Sequence, residues 1–131
     1  MKKKILLDSY ALLAYLKKED NHLPVKEALS SEDTLCMMNE LNIGETYYIL
    51  SRQRGHEQAD YFLEVILPSL PIKAIPNDFR QTIEASRLKA KYPMSFVDCF
   101  AAATALAERA VILTGDPEFK NVEGLIAIKW L

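Results

Sequence analysis

The sequence predicts an α/β fold, a single domain over residues 1–131 with a parallel sheet and helices on both of its faces. Three observations support this prediction. Short apolar segments alternate with helical patterns along the chain. These segments are continuously apolar, as strands are when both faces are covered. Half of the 131 residues are hydrophobic, which is enough for a substantial core, and no repeat or linker divides the chain.

The first half of the chain contains two predicted strands. Lys4–Leu7 is a short apolar run, and from Asp8 the apolar period changes to that of a helix. A third helix ends at Gly55, a residue that commonly terminates helices. The predicted elements are a strand over Lys4–Leu7, a helix from Asp8 to near Lys18, a helix over Pro24–Leu29, a strand over Thr34–Met38 and a helix over Glu40–Arg54.

In the second half, prolines mark most of the boundaries. Pro68 ends one helix, Pro71 and Pro76 bracket a strand, and Pro93 follows another helix. The predicted elements are a helix from about Glu57 to Leu67, a strand over Ile72–Ile75, helices over Asp78–Lys91 and Phe96–Arg109, and strands over Val111–Thr114 and Leu125–Lys129.

Composition limits the classes of function. The chain has 16 Lys and Arg against 18 Asp and Glu, a net charge of −2, so it does not hold nucleic acid by bulk positive charge. Cys36 and Cys99 lie in apolar runs and are interpreted as buried thiols. Asp8 interrupts the apolar stretch that follows Lys2, Lys3 and Lys4, and no run could span a membrane. We therefore expect a soluble cytoplasmic protein.

Two strands are followed by an aspartate where parallel sheets form their ligand sites, beyond the carboxyl ends of the strands. Asp8 follows the first strand, and Asp116 follows Val111–Thr114 after one glycine. Each residue also has a structural explanation. Asp8 is suited to cap its helix, and Asp116 precedes Pro117, which is favoured at the first helical position.

Asp98 is the only charged residue in the first turns of a helix that is apolar all round. Ser95 and Asp98 have the spacing of a capping box, which explains the residue type. A buried carboxylate without a partner is nevertheless costly. Asp98 also shares a helix face with Ala101, Ala102 and Ala105, whose small side chains would let a strand end or a ligand approach closely.

A further acid lies on the helix that follows the second strand. Glu45 falls beside Leu41, Tyr48 and Ile49 on a helical wheel, and Glu40 is a competing candidate. The wheel alone does not choose between them.

Four segments, taken together, resemble the motifs of PIN domains in the order that the family has them. They cover essentially the whole chain. The second segment places the acid at Glu45 rather than at Glu40. The segments are Leu6–Leu16 around Asp8, Asn42–Leu50 around Glu45, Ser95–Cys99 around Asp98 and Thr114–Phe119 around Asp116. The chain length is similar to that of the compact VapC-type ribonucleases, which are toxins of toxin–antitoxin pairs.

The resemblance implies a parallel five-stranded sheet and a crevice lined by four acids that hold one or two Mg²⁺ or Mn²⁺ ions. In this interpretation Asp8 and Asp98 are the principal ligands, and Glu45 and Asp116 complete the set. Oxygen ligands suit such hard ions. Ser9, Ser95 and Thr114 are candidates for orienting these carboxylates. The implied activity is cleavage of single-stranded RNA, with an antitoxin protein and a second copy of the chain as partners.

Two alternatives belong to other classes. The first is a non-catalytic PIN-like module that binds RNA or protein, which the four intact acids disfavour. The second is a Mg²⁺-dependent phospho-acceptor domain, which requires a lysine just after a late strand; Lys120 and Lys129 are poorly placed for this role. One residue departs from the PIN pattern, because Tyr10 follows Ser9 where many members carry asparagine.

Overall fold

The structure, a computed structural model, describes all 131 residues and contains one sheet of five strands. All strands are parallel, in the order β3-β2-β1-β4-β5. The predicted α/β fold with a parallel five-stranded sheet is therefore confirmed. The strands are β1 (Lys3–Leu7), β2 (Thr34–Asn39), β3 (Ile72–Ile75), β4 (Val111–Thr114) and β5 (Ile128–Trp130).

All of the predicted helices are present. One of them, predicted from about Glu57 to Leu67, is divided into α4, π-helical turns over Phe62–Ile66, and α5. A 3-10 helix over Pro117–Val122 follows β4. The α-helices are α1 (Ser9–Leu16), α2 (Leu23–Ser30), α3 (Glu40–Arg54), α4 (His56–Tyr61), α5 (Leu67–Ser69), α6 (Phe79–Lys91) and α7 (Phe96–Glu108). None of the helices combines the length and hydropathy needed to cross a membrane.

The predicted start of the last strand is wrong. Leu125–Lys129 was expected to be extended, but β5 begins only at Ile128. The N–H groups of Leu125 and Ile126 both donate to the Val122 carbonyl, at 2.9 Å each, so this segment is a turn. Ile126 nevertheless has a buried side chain. Its apolar character reflects a core contact made from a turn, which a hydrophobicity pattern does not distinguish from a strand.

The core lies on both faces of the sheet. On β1, Leu6 packs with the α6 and α7 side, whereas Ile5 and Leu7 pack with α1 and α2. This alternation follows from the two-residue period of a strand. A further group, which includes Leu12 and Phe62, joins α1 to α3 and α4. Cys36 and Cys99 are free and buried, as predicted.

Helix α7 packs against the central strands β1, β2 and β4. Ala101 and Ala102 are fully buried, and their small side chains allow the helix to lie close to the sheet. Because α7 starts at the carboxyl edge of the sheet, its first turn carries Asp98 to the ends of β1 and β4.

Candidate active site

The strand order reverses between β1 and β4, which is where open parallel sheets form a crevice. Leu7 at the end of β1 is paired with Leu113 of β4. This register brings Asp8 next to Thr114, although 106 positions separate them in the chain. The Thr114 hydroxyl donates a hydrogen bond to Oδ2 of Asp8. Strand pairing therefore creates the first contact of the candidate site.

Asp8 lies at this switch point and also makes a structural contact. Its Oδ1 accepts the Ala11 N–H at 2.9 Å, so it caps α1 as its position suggested. The residue is only 1% exposed. Burial raises the pKa of the Asp8 carboxyl to about 7, although the hydrogen bonds from Thr114 and Ala11 lower it; the charges of Asp116 and Glu45 raise it further. Capping thus accounts for the hydrogen bond of one Asp8 oxygen, but it does not account for burial of a carboxyl whose pKa is raised.

Asp98 does not complete the capping box that the sequence suggested. Ser95 Oγ accepts the Asp98 N–H at 3.2 Å, which is half of that arrangement. The Ser95 N–H, however, donates to a carboxylate oxygen of Glu118 at 2.9 Å and not to Asp98. The Asp98 carboxylate is therefore left free of a capping role in a residue that is 4% exposed.

Desolvation by burial is the main reason why the pKa of the Asp98 carboxyl lies well above its ordinary range. The neighbouring carboxyl groups of Asp116, Glu118 and Asp8 raise that pKa further. A strongly raised carboxyl pKa in a cleft is typical of functional sites, although structural networks also produce it.

Asp116 lies in the loop after β4 and caps the 3-10 helix, its Oδ1 accepting the Glu118 N–H at 2.9 Å. Its own N–H donates to Oγ1 of Thr114 at 2.9 Å. The Thr114 hydroxyl therefore links two acids, since it donates to Asp8 and accepts from the backbone of Asp116. This places the two acidic residues in a fixed relation to each other.

Asp8, Asp98 and Asp116 converge. One carboxylate oxygen from each lies within 4.8 Å of the others. The only ion pairs of the structure, Lys4–Glu108 and Arg87–Glu84, lie elsewhere, so no Lys or Arg within 4.0 Å compensates these charges. Three carboxylates from three separate elements thus form a concentrated negative site.

Glu45 lines a cleft of about 330 Å³ together with Asp98 and Asp116. It is not part of the three-carboxylate group. The Ser9 hydroxyl donates to Oε1 of Glu45. Glu40, the competing candidate, is the exposed first residue of α3 and does not line the cleft. The tertiary structure thus distinguishes two glutamates that the helical wheel left equal.

Glu118 also lines the cleft and was not among the predicted site residues. It belongs to the fourth motif segment, two residues after Asp116, so its proximity could have been suspected. Its contact with Ser95 joins the 3-10 helix to the start of α7. Of the predicted orienting residues, Ser9 and Thr114 contact carboxylates, whereas the Ser95 hydroxyl contacts only the backbone of its helix.

The donor set fits a hard divalent cation. All three converging side chains offer carboxylate oxygens, which Mg²⁺ and Mn²⁺ prefer. Each oxygen of Asp8 already accepts one hydrogen bond, but a carboxylate oxygen has two acceptor sites, so each retains one. A cation would also relieve the repulsion within the group.

Comparison with protein families gives one match, in which the PIN domain profile matches residues 5–125. The chain belongs to the PIN-domain family. The match includes all four segments on which the sequence resemblance was based. No curated protein sequence matches this PIN domain.

Several solved structures have the same fold. VapBC2 from Rickettsia felis, bound to a promoter DNA fragment, has a TM-score of 0.77 at 18% identity, over 98% of each chain. VapBC from Salmonella typhimurium, also bound to DNA, has a TM-score of 0.75 at 18% identity, over 98% of each chain. VapC20 from Mycobacterium tuberculosis, described as a sarcin-ricin loop cleaving toxin, has a TM-score of 0.74 at 21% identity, over 88% of this chain and 92% of that chain.

Proposed function

We propose that this PIN domain is a metal-dependent endoribonuclease that cleaves single-stranded RNA. The observation that carries the proposal is the convergence of Asp8, Asp98 and Asp116 at the strand switch point without a compensating cationic side chain. Membership of the PIN family and the likeness to VapC20, a cleaving toxin, support a nuclease over a binding module.

In this proposal Asp8, Asp98 and Asp116 hold Mg²⁺ or Mn²⁺, and Glu45 completes the set from the wall of the cleft. When bound, the ion would activate water and stabilise the leaving oxygen in phosphodiester hydrolysis. Thr114 holds the Asp8 carboxylate in place, and Ser9 does the same for Glu45. Such supporting hydrogen bonds fix ligand orientation before substrate arrives.

The toxin of a toxin–antitoxin pair is the biological role that we propose. The structures from Rickettsia felis and Salmonella typhimurium are both described as VapBC bound to DNA, and a further neighbour is described as a toxin–antitoxin complex from Klebsiella pneumoniae. We therefore propose an antitoxin protein as a partner of this chain. A small adjacent gene that encodes a DNA-binding protein would support this role.

The substrate and the choice of glutamate can be tested in one cleavage assay. With Mn²⁺ or Mg²⁺, the purified protein is expected to cleave single-stranded RNA, and a chelator should stop the reaction. Glu45→Gln should reduce cleavage by about 10-fold or more, the loss typical of a residue that supports a metal site. Glu40→Gln is the matched control and should cleave like the wild type, since Glu40 lies outside the cleft.

Two results of this assay would contradict the proposal. A greater loss with Glu40→Gln would show that the second motif is misplaced. Complete absence of metal-dependent cleavage, with retained RNA or protein binding, would instead favour the non-catalytic module.

We also propose a homodimer, because several apolar side chains on the helices are exposed. Tyr61 is 54% exposed, Leu63 43% and Val65 50%, around the π-helical turns. Exposed apolar groups of this kind often mark interaction surfaces. Light scattering should give about twice the chain mass of 14.9 kDa. A mass of one chain at the highest soluble concentration would argue against the dimer.

A further inference from the structure

Tyr10 forms a wall shared by two neighbouring cavities. On one side it lines the acidic cleft together with Glu45, Asp98 and Asp116. On the other it lines a cavity of about 600 Å³, whose polar lining residues are Lys17, Glu19, Asp20 and Asn21. The side chain is 41% exposed, although it is a large aromatic group. Tyr10 and Leu13 are the two residues that line both cavities, so a strand that passes from the acidic cleft into the second cavity would run along the Tyr10 ring.

The Tyr10 ring lies against the backbone of Gly115. A Cβ atom at Gly115 would lie 2.3 Å from Cε1 and 2.7 Å from Cζ of Tyr10, closer than real contacts allow. Gly115 does not have a left-handed backbone conformation, so its backbone alone does not require glycine. The absence of a side chain at Gly115 instead provides the space for the ring.

The chemistry of the ring suits a nucleobase. Proteins hold single-stranded RNA by stacking its bases on aromatic side chains beside a cationic group that meets the backbone. Tyr10 is the only aromatic residue that lines the acidic cleft. The adjoining cavity holds the Lys17 ammonium group together with the carboxylates of Glu19 and Asp20, so the aromatic ring, and not a basic surface, is the feature that suits a base. Stacking also needs no net positive charge, which agrees with the chain's charge of −2.

We propose that Tyr10 stacks the base of a nucleotide adjacent to the scissile phosphate, with the second cavity receiving that base. This inference rests on the proposed ribonuclease function and identifies a binding residue for its substrate. Tyr10, which stands where many PIN domains carry asparagine, would then help to determine how this chain binds RNA.

Binding should be measured with a short fluorescent single-stranded RNA, in the Asp98→Asn background so that the RNA stays intact. Tyr10→Leu is expected to raise Kd by about tenfold, within the range found for loss of a base–aromatic stack. Tyr10→Phe keeps the ring and should bind like the parent protein. In active protein, Tyr10→Leu should raise KM with a smaller change in kcat, because stacking holds the substrate before the reaction.

Abasic substitution along the RNA provides a readout that a loss of folding would not mimic. Removal of one particular base should weaken binding to the Tyr10 protein and have no further effect on Tyr10→Leu. Gly115→Ala is a second variant, because its Cβ displaces the ring without changing the residue at position 10. It should weaken binding in the same way, and combination with Tyr10→Leu should add little.

Equal affinities of Tyr10→Leu and Tyr10→Phe, or the same abasic profile for both, would overturn the stacking inference. If wild-type protein cleaves RNA under those conditions, the ribonuclease function stands and only the role of Tyr10 fails. If the wild type neither binds nor cleaves RNA, both fail together.

Discussion

Asp98→Asn is expected to reduce metal-dependent RNA cleavage by at least about 100-fold, because even partners outside the metal's immediate ligands typically contribute 10- to 100-fold. The substitution removes one of three converging carboxylates and keeps the size of the side chain. Ser95 will continue to cap α7, since its hydroxyl accepts the backbone N–H of residue 98 and not the carboxylate. Activity should therefore fall while the circular dichroism spectrum stays that of the wild type.

Asp78→Asn provides a matched control for this experiment. Asp78 caps α6 by accepting the Gln81 N–H at 2.8 Å, and it lies outside the acidic cleft. Asparagine caps helices about as well as aspartate, so this variant should cleave RNA normally. Cleavage that persists in Asp98→Asn, or that needs no metal in the wild type, would exclude the proposed mechanism.

Without metal, repulsion between the carboxylates of this site should lower the stability of the folded protein, and Asp98→Asn should reduce that repulsion. Without an ion, the folded chain holds Asp8, Asp98 and Asp116 close together in a poorly hydrated place. Unfolding separates and hydrates these carboxylates. In chelator, Asp98→Asn is therefore expected to melt about 4 °C or more above wild type, the shift for roughly 1 kcal/mol in a domain of this size. Most substitutions at ordered positions have the opposite effect.

The pH dependence of this gain follows from the direction of the pKa shifts. Burial raises the pKa of Asp8 from 3.8 to about 7 in the folded chain, so the folded state binds this proton more tightly than the unfolded state. The pKa of Asp98 is raised in the same direction. The stability that the Asp8 proton provides is complete below about pH 4 and is lost as the pH rises through 7. For Asp98, whose pKa is raised to about 9, the loss continues to that higher pH. The advantage of Asp98→Asn over wild type should accordingly grow between pH 5 and pH 8.

Melting curves with and without Mn²⁺ complete this test. The ion should raise the melting temperature of the wild type by binding only the folded form, and raise that of Asp98→Asn less. Glu40→Gln is the control for a first-turn acid, because Glu40 starts α3 outside the cleft. Loss of the Glu40 charge removes a favourable interaction with the helix dipole, so Glu40→Gln should melt at a slightly lower temperature than the wild type. Mn²⁺ should raise its melting temperature by as much as it raises that of the wild type. If Asp98→Asn melts at a lower temperature than the wild type in both conditions, and Mn²⁺ does not change the melting temperature of the wild type, the carboxylates do not form a metal site.

Local patterns in the sequence were sufficient to predict most of the elements. The bounds of Ile72–Ile75, Val111–Thr114 and Glu40–Arg54 were predicted correctly, because prolines, Gly55 and apolar runs mark them. The error at Leu125–Lys129 has the same origin, since Ile126 is buried from a turn and shows the apolar signal of a strand. A hydrophobicity pattern reports that a side chain is buried, and not the backbone conformation that buries it.

The fold class, the family and the order of the four motif acids could be predicted from the sequence, since these depend on local periodicity and short segments. Which of the acids meet depends on the tertiary structure. The contact of Thr114 with Asp8 joins residues 106 positions apart through pairing of β1 with β4, and Glu118 meets Ser95 across 23 positions. The fit of Tyr10 over Gly115 is equally non-local. Strand order and the packing of separate elements fix these distances, and neither leaves a periodic signal in the residues concerned.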